Sequence, residues 1–207
     1  MDLAQAFVEC VAPSRCAACR RSCRPGSALC TRCSRRLAAA EPLSGAGPWG
    51  LDRAWSSAPH DGVARDLVAA LKFRRLLPVA ELMADRIAWL APSPMLSGAV
   101  VAVPTARLRT LSRGFDPAHE IAAALASRTG LPLAECLRRR GSGRQRGRRR
   151  AERIGHPPLI EPHGRVPRSV LLVDDVLTTG ATLSACARAL RGAGAVRVVA
   201  VTFSRRL

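Results

Sequence analysis

The chain has 207 residues, of which 48% are apolar, and its formal net charge is +18. This length fits one domain of ordinary size with a small appended module, and the apolar fraction is enough to build a core. No stretch reaches the roughly 18 consecutive apolar residues of a transmembrane helix, and Met1–Arg20 lacks a targeting pattern. We therefore expect a cytoplasmic protein without membrane insertion.

The excess of basic residues predicts attraction to polyanions, whether nucleic acid, an anionic membrane surface or phosphorylated small molecules. The alternative is a solvated, arginine-rich surface without a specific partner. Basic residues are most concentrated in residues 138–153, where almost no side chain is apolar. Like charges repel, so we predict a loop there that an anion would order.

Most cysteines lie in residues 1–40, where periodic apolar sequence is sparse. Cytosolic thiols stay reduced, which favours metal binding over disulfides. Two Cys-x-x-Cys pairs predict a structural, tetrahedral Zn²⁺ site. The predicted ligands are Cys16, Cys19, Cys30 and Cys33. Cys10 and Cys23 lie nearby and leave the ligand set open, and a group of unrelated thiols is the alternative.

The change in composition along the chain predicts three parts. Residues 1–41 form a Cys-rich zinc-binding module, and residues 42–52, rich in Gly, Pro and Ser, form a linker. Residues 53–207 form the second domain. Its strands are predicted over 53–58, 99–103, 170–173 and 196–203, and its helices over 61–71, 78–90, 116–130 and 182–191, with Asp116 as an N-cap. Strands that alternate with helices predict an α/β fold, a mostly parallel sheet flanked by helices.

The most informative segment is VLLVDDVLTTGATLS, residues 170–184. An apolar strand ends in Asp174 and Asp175, and a Thr-Thr-Gly turn then opens a helix. Ligands of open α/β sheets bind beyond the carboxyl ends of strands, and a helix N-terminus favours phosphate. Gly180 lets backbone approach a phosphate, and the threonine hydroxyls can donate to it. The carboxylates can accept from ribose hydroxyls and stabilise positive charge on the ribose. An ordinary strand–turn–helix with polar capping is the alternative.

This segment resembles the phosphoribosyl pyrophosphate signature of the phosphoribosyltransferases. The resemblance implies that Asp174 and Asp175 are catalytic and hold the ribose hydroxyls. It also implies Mg²⁺, carried by the pyrophosphate and ribose oxygens of the ligand. The implied 5-phosphate loop consists of Val176, Leu177, Thr178, Thr179, Gly180, Ala181 and Thr182. The expected ligand is phosphoribosyl pyrophosphate or a related ribose 5-phosphate compound.

Four landmarks in chain order are similar to one group with this fold, the ComF family, which is linked to DNA uptake in natural competence. They are the paired cysteines, Leu71-Lys72-Phe73, the segment from Val101-Ala-Val-Pro104 to Arg113-Gly-Phe, and Gln145 with Arg153. The resemblance implies a type I phosphoribosyltransferase-like fold. It assigns to the pyrophosphate side Lys72, Pro104, Thr105, Arg109, Arg113, Gln145 and Arg153.

The chain departs from the family pattern in places that bear on this site. Ala102 replaces a proline, and Asp116-Pro117 replaces Asn-Gln, so an acid stands near the expected phosphates. Arg148 replaces a leucine, and His156 replaces an asparagine.

The sequence leaves the function between two classes. As an enzyme, the protein would transfer the phosphoribosyl group to an acceptor that the sequence does not identify, by displacing pyrophosphate through positioning and electrostatics. As a non-catalytic accessory of DNA uptake, it would bind single-stranded DNA through its basic surface, with competence proteins as partners. The scarcity of aromatic residues weighs against a dedicated single-strand platform.

Overall fold

The computed structural model describes residues 15–140 and 159–207. The strands in these residues are β1 (Leu43–Gly45), β2 (Arg53–Ser56), β3 (Ala99–Ala102), β4 (Leu137–Arg139), β5 (Ile160–Pro162), β6 (Ser169–Leu177) and β7 (Arg197–Arg205). The helices are α1 (Thr31–Ala38), α2 (Gly62–Arg74), α3 (Pro78–Leu90), α4 (Arg107–Arg113), α5 (Pro117–Thr129) and α6 (Ala181–Gly192), and a short 3₁₀ turn covers Ser93–Met95.

The main sheet has the strand order β1-β2-β7-β6-β3. Its edge strand β1 pairs antiparallel with β2, whereas the pairs β2–β7, β7–β6 and β6–β3 are all parallel. The strands β4 and β5 form a separate antiparallel pair. The predicted α/β class, a mostly parallel sheet flanked by helices, is confirmed.

Alternating side chains of β6 supply both faces of the core. Leu171 and Val173 pack with apolar residues of α2, α3 and α5 on one face. Val170 and Leu172 pack on the other face with apolar residues of α6 and of the β4–β5 pair. Because both faces are covered, the strand reads as a continuous apolar run rather than an alternating one.

The strand β6 is longer than predicted. It was expected to end at Val173, but it continues through Leu177 because β7 keeps pairing with it after β3 has ended. Asp174 lies opposite Thr202 of β7, and Val176 lies opposite Ser204. Asp174 and Asp175, the acid pair, therefore lie inside the extended end of β6. The strand β7 is hydrogen-bonded to this end on one side.

The cysteine-rich segment packs on the same core as the main sheet. Ala17 and Leu37 are buried together with residues of α2 and α3, and Arg74 of α2 donates to the carbonyl oxygen of Ala17. Arg86 of α3 donates to the carbonyl oxygen of Ala40 at 2.7 Å. The boundaries proposed at residues 41 and 52 stay a prediction.

The segment predicted as a linker contributes to the sheet and packs on α6. It contains β1, and Arg191 donates to the carbonyl oxygen of Gly50 at 2.9 Å and to the Asp52 carboxylate at 2.6 Å. Among the described helices, none combines the length and apolar character needed to cross a bilayer.

Candidate functional site

An ion pair holds the second carboxylate of the acid pair. Lys72, near the end of α2, places its Nζ 2.7 and 2.8 Å from the two carboxylate oxygens of Asp175. The Asp175 side chain is only 7% exposed, and that of Lys72 is 24% exposed. Lys72 was assigned by resemblance to the pyrophosphate side, and the structure brings it to Asp175. The predicted phosphate contact of Lys72 stays a prediction.

The first carboxylate has a different environment. Asp174 accepts a hydrogen bond from the backbone N–H of Asp175 through Oδ1 at 2.9 Å. Burial, followed by the charge of the adjacent Asp175, raises the pKa of Asp174 well above its usual value. The two carboxyl groups therefore differ in environment, since Asp175 has a cation as direct partner, whereas Asp174 has a pKa above its ordinary value.

The turn after β6 leads from the acid pair into α6. Thr178 and Thr179 are exposed, and Thr182 is half-buried in the first turn of α6. Thr179 accepts the N–H of Ala181 through its hydroxyl oxygen at 3.4 Å. Hydroxyl groups and helix N–H groups thus lie along one short segment, as expected for a phosphate site. The backbone of Val176 and Leu177, also predicted in this loop, belongs to β6.

Gly180 is required by its conformation and by a neighbour that the sequence did not indicate. Its φ of +75° lies in the left-handed region, where a Cβ is unfavourable. An added Cβ would also lie 2.3 and 2.6 Å from the ring carbons of Pro48. The predicted role was to leave space for a phosphate, and the structure adds that Pro48 packs closely against this glycine.

The loop after β3 lies at the other flank of β6. Val103 donates to the carbonyl oxygen of Val173 at 2.9 Å, which brings the following Pro104 and Thr105 to the carboxyl edge of the sheet. The Asp116 carboxylate accepts from the N–H of Thr105 at 3.1 Å and from its hydroxyl at 2.8 Å.

Asp116 also accepts the N–H of Ala118 at 3.1 Å, which confirms the predicted cap of α5. The acid that replaces the family's amide therefore fixes the loop and the helix together.

The remaining pyrophosphate-side predictions are only partly described. The Arg113 guanidinium lies 5.6 Å from the centroid of the Phe73 ring, which places both at the junction of α2 and α4. Arg109 lies in α4, but its side chain is outside the described residues. Gln145 and Arg153 are outside them as well.

The sequence analysis did not predict a network of buried hydroxyl groups that reaches the backbone of Asp175. The hydroxyl oxygens of Ser56 and Thr202 are 2.6 Å apart. Ser204 Oγ lies 2.8 Å from Nδ1 of His60 and donates to the carbonyl oxygen of Asp175 at 3.5 Å. The signal was present in β7, where Thr202 and Ser204 alternate with apolar residues, but the predicted strand stopped at Phe203.

The four predicted zinc ligands lie together. The Sγ atoms of these cysteines are all within 4.8 Å of one another, and those of Cys19 and Cys30 are 3.7 Å apart. Zn–S bonds of about 2.3 Å in a tetrahedron require sulfur atoms about 3.8 Å apart. The arrangement therefore fits the ion, and these four residues could hold it. Cys23 instead donates to the carbonyl oxygen of Ser27 at 3.2 Å, and Cys10 is outside the described residues.

The thiols of this cluster do not have equal acidity. Burial, the largest influence, would raise the pKa of Cys16, but the N–H groups of Cys30, Cys19 and Ala18 outweigh it and lower the value to about 6. Burial raises the pKa of Cys33. Metal binding needs thiolates, so a cation at the centre would favour deprotonation of all four.

Two comparisons of sequence support the predicted resemblance. A sequence family described as "Phosphoribosyl transferase domain" matches residues 110–207, which include β6 and α6. The curated "Competence protein ComFC" of Streptococcus pneumoniae is 31% identical over 97 residues, covering 46% of this chain and 42% of that protein. The match therefore spans less than half the length of this curated relative.

Several solved structures are similar. An orotate phosphoribosyltransferase from Aeropyrum pernix is 25% identical with a TM-score of 0.37, covering 66% of this chain and 62% of that one. A glutamine phosphoribosylpyrophosphate amidotransferase from B. subtilis, complexed with ADP and GMP, is 21% identical with a TM-score of 0.40, covering 70% and 29%.

Removal of one predicted zinc ligand should remove the metal. We expect the Cys30→Ser variant to lose most of its bound zinc, because a structural site needs all four thiolates. Elemental analysis of the purified full chain measures the zinc content. Cys23→Ser is the matched control and should keep the metal. Zinc that remains in Cys30→Ser, or disappears in Cys23→Ser, would show that the ligand set is wrong.

The raised pKa of Asp174 predicts a variant that is more stable than the wild type. At low pH the Asp174 carboxyl is protonated in both the folded and the unfolded chain, so it does not lower the free energy of unfolding. As the pH rises past the ordinary value, the unfolded chain releases its proton first, and the folded state loses stability until its own pKa is passed. Asp174→Asn removes this cost and keeps an oxygen that accepts the Asp175 N–H.

We expect Asp174→Asn to raise the melting temperature near pH 7 by about 2–4 °C, corresponding to about 1 kcal/mol in a chain of this size. Thermal melts followed by circular dichroism measure this shift, and it should shrink towards pH 4. Asp175→Asn is the contrast, since it leaves Lys72 without its carboxylate and should lower the melting temperature. A stabilisation of Asp174→Asn that does not depend on pH would contradict the assignment.

Proposed function

We propose that this chain, which matches a phosphoribosyl transferase domain over residues 110–207 and resembles a ComF-family protein, binds phosphoribosyl pyrophosphate or a closely related ribose 5-phosphate compound. The proposal depends on one observation, the acid pair at the extended end of β6, followed directly by a threonine-rich turn and the N-terminus of α6. Sugar hydroxyls and a 5-phosphate are separated by a distance that such a short segment can span.

Each part of this segment has a task in binding. The ribose 2′- and 3′-hydroxyls would donate to the carboxylates of Asp174 and Asp175. The 5-phosphate would accept from the hydroxyls of Thr178, Thr179 and Thr182 and from N–H groups at the start of α6, where the helix dipole favours an anion. Lys72 holds Asp175 in place through both of its oxygens, so the ribose would meet a fixed acceptor.

The pyrophosphate would lie at the β3 flank, where Thr105 and Arg113 are located. The Mg²⁺ that such ligands carry would neutralise part of its charge. Asp175 is already paired with Lys72, and the raised pKa of Asp174 limits negative charge in the empty site. A bound cation would favour the ionised form of Asp174.

If the group is transferred, the C1–oxygen bond breaks and pyrophosphate leaves with the electron pair. Positive charge then develops on the ribose ring, next to the carboxylates that already hold its hydroxyls. The acceptor forms the new bond to C1 and loses a proton. The chain would contribute positioning and electrostatics, and no covalent intermediate on the protein is needed.

Calorimetry of the full chain with magnesium and phosphoribosyl pyrophosphate tests this function. We expect saturable binding to the wild type, weakened about ten-fold or more in Asp175→Asn, because a charge-assisted hydrogen bond to the ribose is lost. The control is Asp66→Asn, which removes a half-buried carboxylate on α2 outside the proposed site. Absence of binding to the wild type, or equal weakening by both variants, would overturn the proposal.

A specific observation also favours the second candidate, single-strand DNA binding. Trp49 and Phe73 are each 74% exposed, although aromatic residues are scarce in this chain. Each is packed against an arginine, since Arg188 lies 5.7 Å from the Trp49 ring and Arg113 lies 5.6 Å from the Phe73 ring. Exposed aromatic rings beside cations are the usual platform for stacked bases.

Fluorescence anisotropy with a labelled oligothymidine of about 20 nucleotides, longer than one single-strand site, tests this candidate. We expect affinity to fall steeply as salt is raised. It should also fall about ten-fold in Phe73→Ala, as expected for the loss of one stacked base. Trp89→Ala is the control, because Trp89 is 87% exposed on α3 and belongs to neither aromatic–arginine pair. Binding that Phe73→Ala leaves unchanged would contradict this candidate.

A further inference from the structure

A cleft lies at the carboxyl ends of β2 and β7, on the side of β6 opposite to the β3 loop. It has a volume of about 350 Å³, which is within the usual range for small-molecule sites. Its walls come from the residues that follow β2 and from the end of β7. Because β7 separates β2 from β6, the cleft and the β3 loop are on opposite sides of Asp175. A ligand in the cleft would therefore leave the β3 flank free.

The charge of the cleft favours an anion. Arg65, Arg205 and Arg206 line it together with one acidic side chain, that of Asp61, and with Leu207, the last residue of the sequence. Arg65 also has a partner outside the cleft, the half-buried Asp66, at 3.7 Å. Guanidinium groups bind carboxylate and phosphate oxygens with two parallel hydrogen bonds, so three of them around one small cleft favour an acid over a neutral molecule.

Contacts with β7 orient His60, a residue of the cleft wall. The backbone N–H of His60 donates to the carbonyl oxygen of Arg205 at 2.7 Å. Its ring nitrogen Nδ1 lies 2.8 Å from Ser204 Oγ, and Ser204 donates its single hydroxyl proton to the carbonyl oxygen of Asp175. If the Ser204 proton stays on that carbonyl oxygen, Nδ1–H donates to Ser204, and Nε2 is then without a proton and able to accept a hydrogen bond.

The surroundings of His60 keep this ring neutral. Burial lowers the pKa of His60, and the charges of Arg206, Lys72 and Arg65 lower it further, whereas Asp175 opposes them. A neutral ring that carries its proton on Nδ1 presents Nε2 as an acceptor atom among cationic side chains. The cleft thus contains two kinds of binding group. Its guanidinium groups can bind an acid, and the lone pair of His60 Nε2 can accept from an N–H or O–H group.

We propose that this cleft is the subsite for a second substrate, a small organic acid that also carries an N–H or O–H donor. The three arginines would hold its acid group, and His60 Nε2 would accept from its donor. The inference rests on the proposed function, since a second substrate requires the phosphoribosyl site beside it. It assigns an acceptor class that the sequence did not identify.

Nuclear magnetic resonance of the full chain with isotope-labelled histidine tests the subsite, and His60→Gln assigns the His60 signal. The probes are anthranilate and anthranilamide, which share a ring and an amino donor but differ in charge. We expect anthranilate to shift the His60 ring signals saturably, with at least about ten-fold weaker binding of anthranilamide. Arg206→Ala should weaken anthranilate about ten-fold. Arg53→Ala is the control, since Arg53 is exposed at the opposite end of β2.

The tautomer is checked in the same spectra. The ring nitrogen shifts should show a proton on Nδ1, and Ser204→Ala should remove this preference. Phosphoribosyl pyrophosphate with magnesium is titrated into the same sample. If it binds while anthranilate and anthranilamide act equally on His60, the acid subsite is wrong and the proposed function stands. If it does not bind, the proposed function fails, and the assignment of a second substrate fails with it.

Discussion

The site depends on one ion pair that crosses between a helix and a strand. Lys72 is the side chain through which α2 reaches the acid pair, and it contacts both oxygens of Asp175. Because this pair is largely shielded from water, breaking it would leave a charge without compensation, at a cost of about 3–5 kcal/mol. The same pair leaves Asp174 as the carboxyl group that must adapt its charge to a ligand. One contact therefore fixes both the geometry and the charge of the site.

A second constraint comes from the unequal lengths of the strands. Parallel pairing of β6 with β3 ends at Val173, while pairing with β7 continues to Leu177. The end of β6 is therefore bounded by backbone on one side and open on the other. The proposed pyrophosphate would lie on the open side, where Thr105 is held by Asp116. The bounded side instead presents side chains of β7 and of the residues after β2.

The sequence predicted those parts of the fold whose signals are local. The helices beginning at Gly62, Pro78 and Pro117 and the central apolar strands follow from periodicity and capping, and their positions agree with the structure. The strands β1, β4 and β5 were not predicted, because each has three residues, too few for a period to be visible. The helix α4 was also missed, since its seven residues follow no apolar pattern.

The candidate site also has a part that the sequence predicts locally and a part that only the fold brings together. The acid pair and the threonine turn are contiguous in sequence, so they could be found from one segment. The Lys72–Asp175 contact joins residues 103 positions apart, and the His60–Ser204 contact joins residues 144 positions apart. Neither is encoded in a local pattern. The close approach of Pro48 to Gly180 is equally non-local, and it places a residue of the predicted linker against the threonine-rich turn.

The cysteine cluster has a physical connection to the site through α2. Ala17, which follows the first ligand, is buried in the core shared with α2 and accepts from Arg74 at the end of that helix. Lys72 lies two residues earlier on the same helix. A metal that fixes the turn around Ala17 therefore also limits the movement of the last turn of α2, and with it the ammonium group that holds Asp175. A zinc ion held by these cysteines would therefore support the proposed binding site, because the helix that the cysteine-rich segment contacts is the one that carries the ion pair.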